Sequence, residues 1–220
     1  MYMPSFTWKS LLLSEQDCIC IGCKSQLKKI NGHICPKCGR EQANEKLCAD
    51  CIKWKERWNS SEVLTQNRSV YLYNDFMKET LSRFKFRGDV ALAEVFKRDF
   101  REVFKRYYQS RHHVFVPIPL SKERLKDRGF NQSTILASLL KGRIIHPLAK
   151  ANQEKQSKKR KSERLHQTGM FTLLNQDIAG QDVILIDDIY TTGATIYEAA
   201  RLLKNRSGAK SVSSFTLIRS

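Results

Sequence analysis

The sequence predicts an α/β protein built around a parallel β-sheet. Two apolar runs rich in branched side chains, residues 114–118 and 183–186, are too short for buried helices and are typical of strands covered on both faces. Segments with apolar residues at helical spacing lie between such runs. Strands that alternate with helices favour parallel pairing, so we expect helices to flank the sheet.

The same two patterns predict the other elements in order. We expect strands at residues 70–73, 144–145 and 214–218, and helices at 75–86, 89–108 and 194–204. Asp75 is the predicted cap of the first of these helices, and Gly208 is the predicted stop of the last. The sequence contains no internal repeat.

The run at 183–186 leads into two acids and then into a loop of small residues, Asp187, Asp188, Thr191, Thr192, Gly193, Ala194 and Thr195. Backbone N–H groups converge on an anion where a strand turns into a helix, and the helix dipole favours negative charge there. Carboxylates at that edge accept hydrogen bonds from vicinal sugar hydroxyls but repel phosphate. We therefore expect acids and loop to bind different parts of one sugar phosphate, although an isolated Asp pair could equally cap a turn.

Six of the seven cysteines form three C-x-x-C pairs: Cys20 and Cys23, Cys35 and Cys38, Cys48 and Cys51. Four thiolates in two such pairs favour a tetrahedral structural Zn²⁺ site, which we assign to the second and third pairs. The first pair is a candidate second half-site, and spacing alone does not exclude that it joins the second pair instead.

The opening residues contain only a run of three leucines, too short for a secretory signal, and no stretch is long enough to span a membrane. We therefore expect reduced thiols and a cytoplasmic location rather than a disulfide scaffold. Residues 1–58 hold every cysteine and all three tryptophans, and are the predicted zinc-binding module. Residues 59–220 are the predicted α/β domain.

The formal net charge of the chain is +17, and two basic segments contribute to it. In residues 121–132, Arg124 and Arg128 are candidates for binding an anion, and the alternative is that they lie in a solvated charged loop. Asn131 follows them, and we expect it to cap a helix. Residues 150–164 hold seven Lys or Arg against two Glu, and we expect a mobile loop there. The cations that we single out in this loop are Lys158, Lys159, Arg160, Lys161 and Arg164.

This charge is more than one small anion requires and suits a nucleic-acid backbone, whose binding would weaken steeply with salt. A basic surface without a partner is the alternative. Aromatic residues could also stack on bases, but such residues are more often part of a core. The candidates are Trp54, Trp58, Tyr71 and Tyr73.

Three further motifs follow the cysteine-rich segment: FKFRGD at 84–89, VPIPLSKERLKDRGFNQ at 116–132 and VILIDDIYTTGAT at 183–195. The last resembles the phosphoribosyl-pyrophosphate (PRPP) motif of type I phosphoribosyltransferases. Together the motifs resemble the ComF family of late-competence proteins over nearly the whole chain. The resemblance implies a type I phosphoribosyltransferase-like sheet with flanking helices behind a small zinc-ribbon-like module.

The resemblance also implies roles. Asp187 and Asp188 would bind the ribose hydroxyls directly or through Mg²⁺, and residues 191–195 would bind the 5-phosphate. The basic loop would neutralise the pyrophosphate of PRPP or follow a nucleic-acid backbone. The implied function is the cytoplasmic handling of incoming single-stranded DNA during natural transformation, with a DNA-translocating helicase as a candidate partner. The alternative is an active phosphoribosyltransferase that uses Mg-PRPP, for which no residue stands out as catalytic.

Overall fold

The computed structural model describes residues 19–58, 63–86, 90–108, 112–151, 169–174 and 177–220. Its main sheet consists of β1 (Asn67–Leu72), β2 (His113–Pro117), β3 (Arg143–Ile144), β6 (Asp182–Tyr190) and β7 (Ser211–Arg219). The strands are all parallel and lie in the order β1–β7–β6–β2–β3. The predicted α/β class with a parallel sheet is therefore confirmed.

Helices connect these strands and cover the sheet. They are α1 (Ile21–Gln26), α2 (Ala49–Trp58), α3 (Asp75–Phe86), α4 (Leu92–Tyr107), α5 (Lys122–Arg128), α6 (Gln132–Ser138) and α7 (Ala194–Ser207). A separate antiparallel pair joins β4 (Leu148–Lys150) to β5 (Phe171–Leu173).

The side chains of β6 alternate between two apolar cores, as expected for a strand covered on both faces. Ile184 and Ile186 pack into the core that contains residues of α3, α4 and α6. Val183 and Leu185 pack into the core that contains α7 and the four cysteines of the second and third C-x-x-C pairs. The cysteine-rich segment thus helps α7 to cover one face of the sheet.

Backbone hydrogen bonds also tie the cysteine-rich segment to the edge strand β1. The amide of Leu72 donates to the carbonyl of Lys28 at 2.8 Å, and the amide of Asn67 donates to that of Lys37 at 2.7 Å. Asn67 Nδ2 donates to the carbonyl of Cys38 at 3.0 Å. Residues on both sides of the predicted boundary at residue 58 therefore share contacts and a core.

The predicted helices and strands of the main sheet are present, with four differences. β6 continues past the two acids to Tyr190, because its ladder with β7 extends to the Tyr190–Arg219 pair. The cap of α3 is Asn74, whose Oδ1 accepts from the amide of Met77 at 2.8 Å, and the prediction of Asp75 was wrong.

The third difference is that residues 122–128 form the helix α5 rather than a loop. Ser121 caps its start, and Gly129 ends it in the left-handed conformation. The fourth is the β4–β5 hairpin, which we did not predict. The caps Asn131 of α6 and Gly208 of α7 agree with expectation. None of the helices within the described ranges combines the length and apolar character needed to cross a bilayer.

Candidate sugar-phosphate site

The acid pair and the predicted phosphate loop lie towards the carboxyl ends of the neighbouring strands β2 and β6, where parallel sheets form a ligand crevice. These strands are neighbours in the sheet, but the chain leaves them in opposite directions. After β2 it passes through α5 into α6, whose Leu136 and Ala137 pack in one core, and after β6 it enters α7, whose Ile196 and Ala199 pack in the other. Ligands bind at such points of divergence in open α/β sheets.

Asp187 is half-buried at this crevice and is held by α6. Its Oδ1 accepts a hydrogen bond from Ser133 Oγ at 3.0 Å and from the amide of Asp188 at 2.9 Å. Withdrawal from water and the charge of Asp188 raise the pKa of Asp187 to about 7, and the two hydrogen bonds oppose this shift only in part. Asp187 therefore exchanges its proton close to neutral pH.

Asp188 is only 5% exposed. Its Oδ2 forms an ion pair with Nζ of Lys85, near the end of α3. The pair counters the charge of a carboxylate that is largely removed from water. Lys85 belongs to the FKFRGD motif, but we did not predict its place in the site.

Three more cations lie in the neighbourhood of the acid pair. Burial and the neighbouring Arg124 lower the pKa of both Arg128 and Lys150, while Asp188 opposes the shift at Arg128 and Asp187 opposes it at Lys150. The structure therefore brings the predicted residue Arg128 near Asp188, with the predicted residue Arg124 beside it. It adds Lys150, whose Nζ lies 4.5 Å from the centroid of the Phe171 ring. Cations this close together favour an anionic ligand.

The other predicted cations, Lys158, Lys159, Arg160, Lys161 and Arg164, lie outside the described residues. The β4–β5 hairpin flanks them in sequence. Next to it, the amide of Ala151 donates to the carbonyl of Met170 at 3.0 Å. Ala151 and Met170, which lie on either side of this stretch in the sequence, thus meet next to Lys150.

The predicted phosphate loop joins β6 to the 14-residue helix α7. Thr191, Thr192 and Ala194 are exposed, and Thr195 is half-buried. Gly193 has φ of +84°, and a Cβ atom there would lie 2.2 Å from the hydroxyl oxygen of Tyr190. Only glycine fits this position, and the loop consequently lies tightly over the Tyr190 ring.

Three successive carbonyl groups of this loop are tied back into the protein. Arg219 Nη1 donates to the carbonyl oxygens of Tyr190 at 3.1 Å and Thr191 at 2.9 Å. Trp54 Nε1 donates to the carbonyl oxygen of Thr192 at 2.8 Å. In a trans peptide the C=O and the following N–H point in opposite directions, so these bonds turn the amides of residues 191–193 away from Arg219 and Trp54.

Four cysteines come together as predicted. The Sγ atoms of Cys35, Cys38, Cys48 and Cys51 all lie within 4.8 Å of one another, and all four residues are buried. Cys38 Sγ and Cys48 Sγ are 3.6 Å apart, too far for a disulfide and close to the sulfur spacing of about 3.8 Å in a Zn²⁺ tetrahedron with Zn–S bonds of about 2.3 Å. The donor set and geometry therefore fit a structural zinc ion.

Cys20 and Cys23 do not belong to this cluster. They lie at the start of α1, where the amide of Cys23 donates to Cys20 Sγ at 3.4 Å. The alternative in which they pair with Cys35 and Cys38 is thus wrong.

Two of the aromatic candidates for base stacking are occupied within the fold. Trp54 stacks on Tyr197, with ring centroids 4.7 Å apart, and Tyr71 is fully buried. Tyr73 is 42% exposed, and the side chain of Trp58 lies outside the described residues. Trp54 and Tyr71 therefore follow the core alternative that the sequence left open, because both complete apolar packing.

Comparisons with known proteins agree with this geometry. The model of the phosphoribosyl transferase domain matches residues 125–220. The competence protein ComFC of Bacillus subtilis is 55% identical over 220 residues, which are 100% of this chain and 92% of that protein. ComFC of Streptococcus pneumoniae is 37% identical over 215 residues, with 97% and 94% coverage. Competence protein F of Haemophilus influenzae is 25% identical over 203 residues, with 84% coverage of each chain.

The sheet, the acid pair at the carboxyl end of β6 and the glycine-bearing loop before α7 define a domain of the phosphoribosyltransferase type, to which a four-cysteine cluster is attached. Given 55% identity with the Bacillus subtilis protein over the whole of this chain, the chain belongs to the ComF family of competence proteins.

Proposed function

We propose that this protein handles single-stranded DNA that enters the cytoplasm during natural transformation, and that it does so with a PRPP-binding cleft and a basic surface. The observation that carries the proposal is the meeting of the acid pair, the loop and the basic residues at one crevice. Its similarity to the competence proteins ComFC of Bacillus subtilis and Streptococcus pneumoniae supports the competence role.

In this proposal the two ends of a sugar phosphate contact different parts of the crevice. Asp187 and Asp188 accept hydrogen bonds from the ribose hydroxyls, and residues 191–195 bind the 5-phosphate. Arg124, Arg128 and Lys150 face the pyrophosphate. These cations repel one another, and a negatively charged pyrophosphate between them would relieve that repulsion. Mg²⁺ would enter with PRPP, and it would compete with Lys85 for Asp188.

The proposed DNA surface begins at α5. Lys122, Arg124 and Lys126 are exposed on this helix, and the basic segment at 158–164 follows β4 in the sequence. A net charge of +17 suits a chain of phosphates better than one small ligand. The surface contacts the backbone and not particular bases, so we expect little sequence preference.

We also propose that Cys35, Cys38, Cys48 and Cys51 hold a structural Zn²⁺ ion, that residues 1–58 form the zinc-binding module, and that this module contacts a DNA-translocating helicase of the uptake system. The exposure of Ile52 (45%) and Leu47 (36%) beside the cysteines supports a protein contact there.

Thermal-shift and gel-shift experiments test the central proposal. Mg-PRPP should raise the melting temperature of the protein, because a ligand that binds only the folded state stabilises it. Asp187→Asn should abolish this rise, whereas Asp177→Asn, an exposed acid outside the crevice, should retain it. The proposal fails if the rise persists in Asp187→Asn, or if single-stranded DNA of several sequences gives no gel shift.

The same preparation separates two arrangements of the ligands. If PRPP displaces single-stranded DNA, the two bind overlapping cations; if it strengthens DNA binding, the two sites are distinct and coupled.

The second candidate function is transfer of ribose 5-phosphate from Mg-PRPP to an acceptor. The three cations around the acid pair favour it, since they would stabilise departing pyrophosphate. Pyrophosphate release that depends on an added acceptor, and that Arg128→Gln slows, would support the enzyme over the binding protein.

A further inference from the structure

Arg219 is a buried cation that contacts both the phosphate loop and the cysteine cluster. It is 3% exposed, and Nη1 donates to the carbonyls of Tyr190 and Thr191. Nη2 donates to Cys38 Sγ at 3.5 Å, across 181 residues of sequence. Its guanidinium also lies 5.0 Å from the centroid of the Tyr190 ring, over which the loop folds.

Trp54 makes a second link between the same two regions. It lies on α2, which begins one residue after Cys48 and contains Cys51. Its ring stacks on Tyr197 in the first turn of α7, and its Nε1 donates to the carbonyl of Thr192. The helix that carries one of the four thiols therefore also holds the last carbonyl before Gly193.

These contacts fix the direction of the loop amides. The carbonyls of residues 190–192 point to Arg219 and Trp54, and all peptide bonds of the structure that could be described are trans. The amides of residues 191–193 consequently face the other way, where a phosphate would need them. Gly193 packs against Tyr190, whose hydroxyl oxygen would lie 2.2 Å from a Cβ atom at this position.

We propose that Arg219 and Trp54 are positioning residues that make the phosphate-binding conformation of the loop 191–195 depend on the four-cysteine cluster. The proposal rests on the proposed function in one respect, namely that the loop binds the 5-phosphate. Neither residue contacts the ligand. A thiolate of Cys38 bound to metal fixes the guanidinium, the guanidinium fixes two carbonyls, and α2 fixes the third.

Hydrogen exchange of the full-length, zinc-loaded protein measures the loop without any ligand. We expect Arg219→Gln and Trp54→Phe to speed exchange of the amides at 191–196, while exchange of α4 on the opposite face stays unchanged. Trp54→Phe is the sharper variant, since it keeps a ring on Tyr197 and removes one hydrogen bond. Arg206→Gln, an exposed arginine on α7, is the matched control and should leave the loop unaffected.

Binding of Mg-PRPP gives the second readout. We expect the dissociation constant to rise about threefold to tenfold in Trp54→Phe and about tenfold or more in Arg219→Gln, the range for losing neutral and charged hydrogen bonds. Arg219→Lys should lie between wild type and Arg219→Gln, because an ammonium keeps the charge but cannot bridge both carbonyls and the sulfur.

Replacing zinc with cobalt tests the contact between Arg219 and the four-cysteine cluster. The visible absorption of Co²⁺ bound to thiolates responds to hydrogen bonds at the sulfur, so Arg219→Gln should shift it and Trp54→Phe should not. Because coupling between sites is reciprocal, Mg-PRPP should shift the same band in the wild type and not in Arg219→Gln.

Each result decides between specific claims. Wild-type loop exchange in both a folded, metal-loaded Arg219→Gln and Trp54→Phe would overturn the positioning role while leaving the proposed function intact. If Arg219→Gln does not fold, Trp54→Phe decides by the same criterion. If the wild type does not bind PRPP, the proposed function fails, and faster loop exchange in the variants would still establish the link.

Discussion

Lys85 of α3 forms an ion pair with Asp188 of β6, and the two side chains are 20% and 7% exposed. The contact joins residues from two separate motifs of the sequence. It places an internal cation at the acid pair that the sugar-phosphate proposal depends on.

Lys85→Met should therefore destabilise the protein. The substitution leaves Asp188 charged and nearly buried without its partner, which we expect to cost about 2–4 kcal/mol of unfolding free energy in urea titrations. Lys97→Met, which breaks the exposed ion pair with Glu94, should cost less than about 0.5 kcal/mol. The double variant Lys85→Met, Asp188→Asn should recover most of the loss, and an additive double variant would show that the pair is not coupled.

Asp187→Asn should stabilise the protein in a pH-dependent way. The folded-state pKa of Asp187 is raised to about 7 from an ordinary value of 3.8, so folding favours its protonated form. Its contribution is fully present below about pH 4 and is lost as the pH rises through about 7. We expect Asp187→Asn to exceed the wild type by about 2 kcal/mol at pH 8 and to match it near pH 4.

Urea titrations between pH 4 and 8 measure this difference. The exposed Glu102→Gln is the control and should show no growing advantage as the pH rises above 5. A gap between Asp187→Asn and wild type that is constant with pH would contradict the raised pKa.

Gly193→Ala should lower the free energy of unfolding by more than the left-handed backbone conformation alone explains. The same substitution at Gly180, which has φ of +69° and open space around it, measures the backbone strain of about 1 kcal/mol. At Gly193 the added Cβ also meets the Tyr190 hydroxyl, so we expect a total loss of about 3 kcal/mol and no thermal shift with PRPP. Equal losses at the two positions would contradict the close packing of the loop on Tyr190.

Metal removal should lower the melting temperature, because the four buried cysteines lose the ion that would hold their side chains together. Metal analysis of the purified protein should detect one zinc ion that depends on the four-cysteine cluster, and Cys48→Ser should lose this ion. Cys20→Ser should keep that zinc, since Cys20 lies apart from the cluster. Loss of the cluster zinc from both variants would contradict the four-cysteine assignment.

Single-stranded DNA binding should weaken as salt increases. For about six phosphate contacts we expect a loss of roughly 300-fold in affinity between 50 and 200 mM salt, because the slope on single strands is about 0.7 per contact. Lys126→Gln on α5 should reduce the slope of log K against log salt by about 0.7, whereas Lys105→Gln on α4 should not change it. Equal effects of the two substitutions would mean that α5 is not part of the DNA surface.

Much of the fold follows from short stretches of sequence. The apolar run at 183–186 is a strand because branched apolar side chains suit a surface buried on both sides, and α4 is a helix because its apolar residues recur at helical spacing. The three-residue strands β4 and β5 have no such signal, since they are too short to show a period. The charged helix α5 lacks an apolar stripe, and its caps Ser121 and Gly129 became apparent only in the structure.

The sequence by itself determined that the acids, the loop and the second and third C-x-x-C pairs would each form a local group, because the members of each lie within a few residues of one another. The tertiary structure alone decided which groups meet. Ser133 and Asp187 are 54 residues apart, Trp54 and Thr192 are 138 apart, and Cys38 and Arg219 are 181 apart. Such contacts arise when helices pack on the two faces of a sheet, and no local pattern of side chains encodes them.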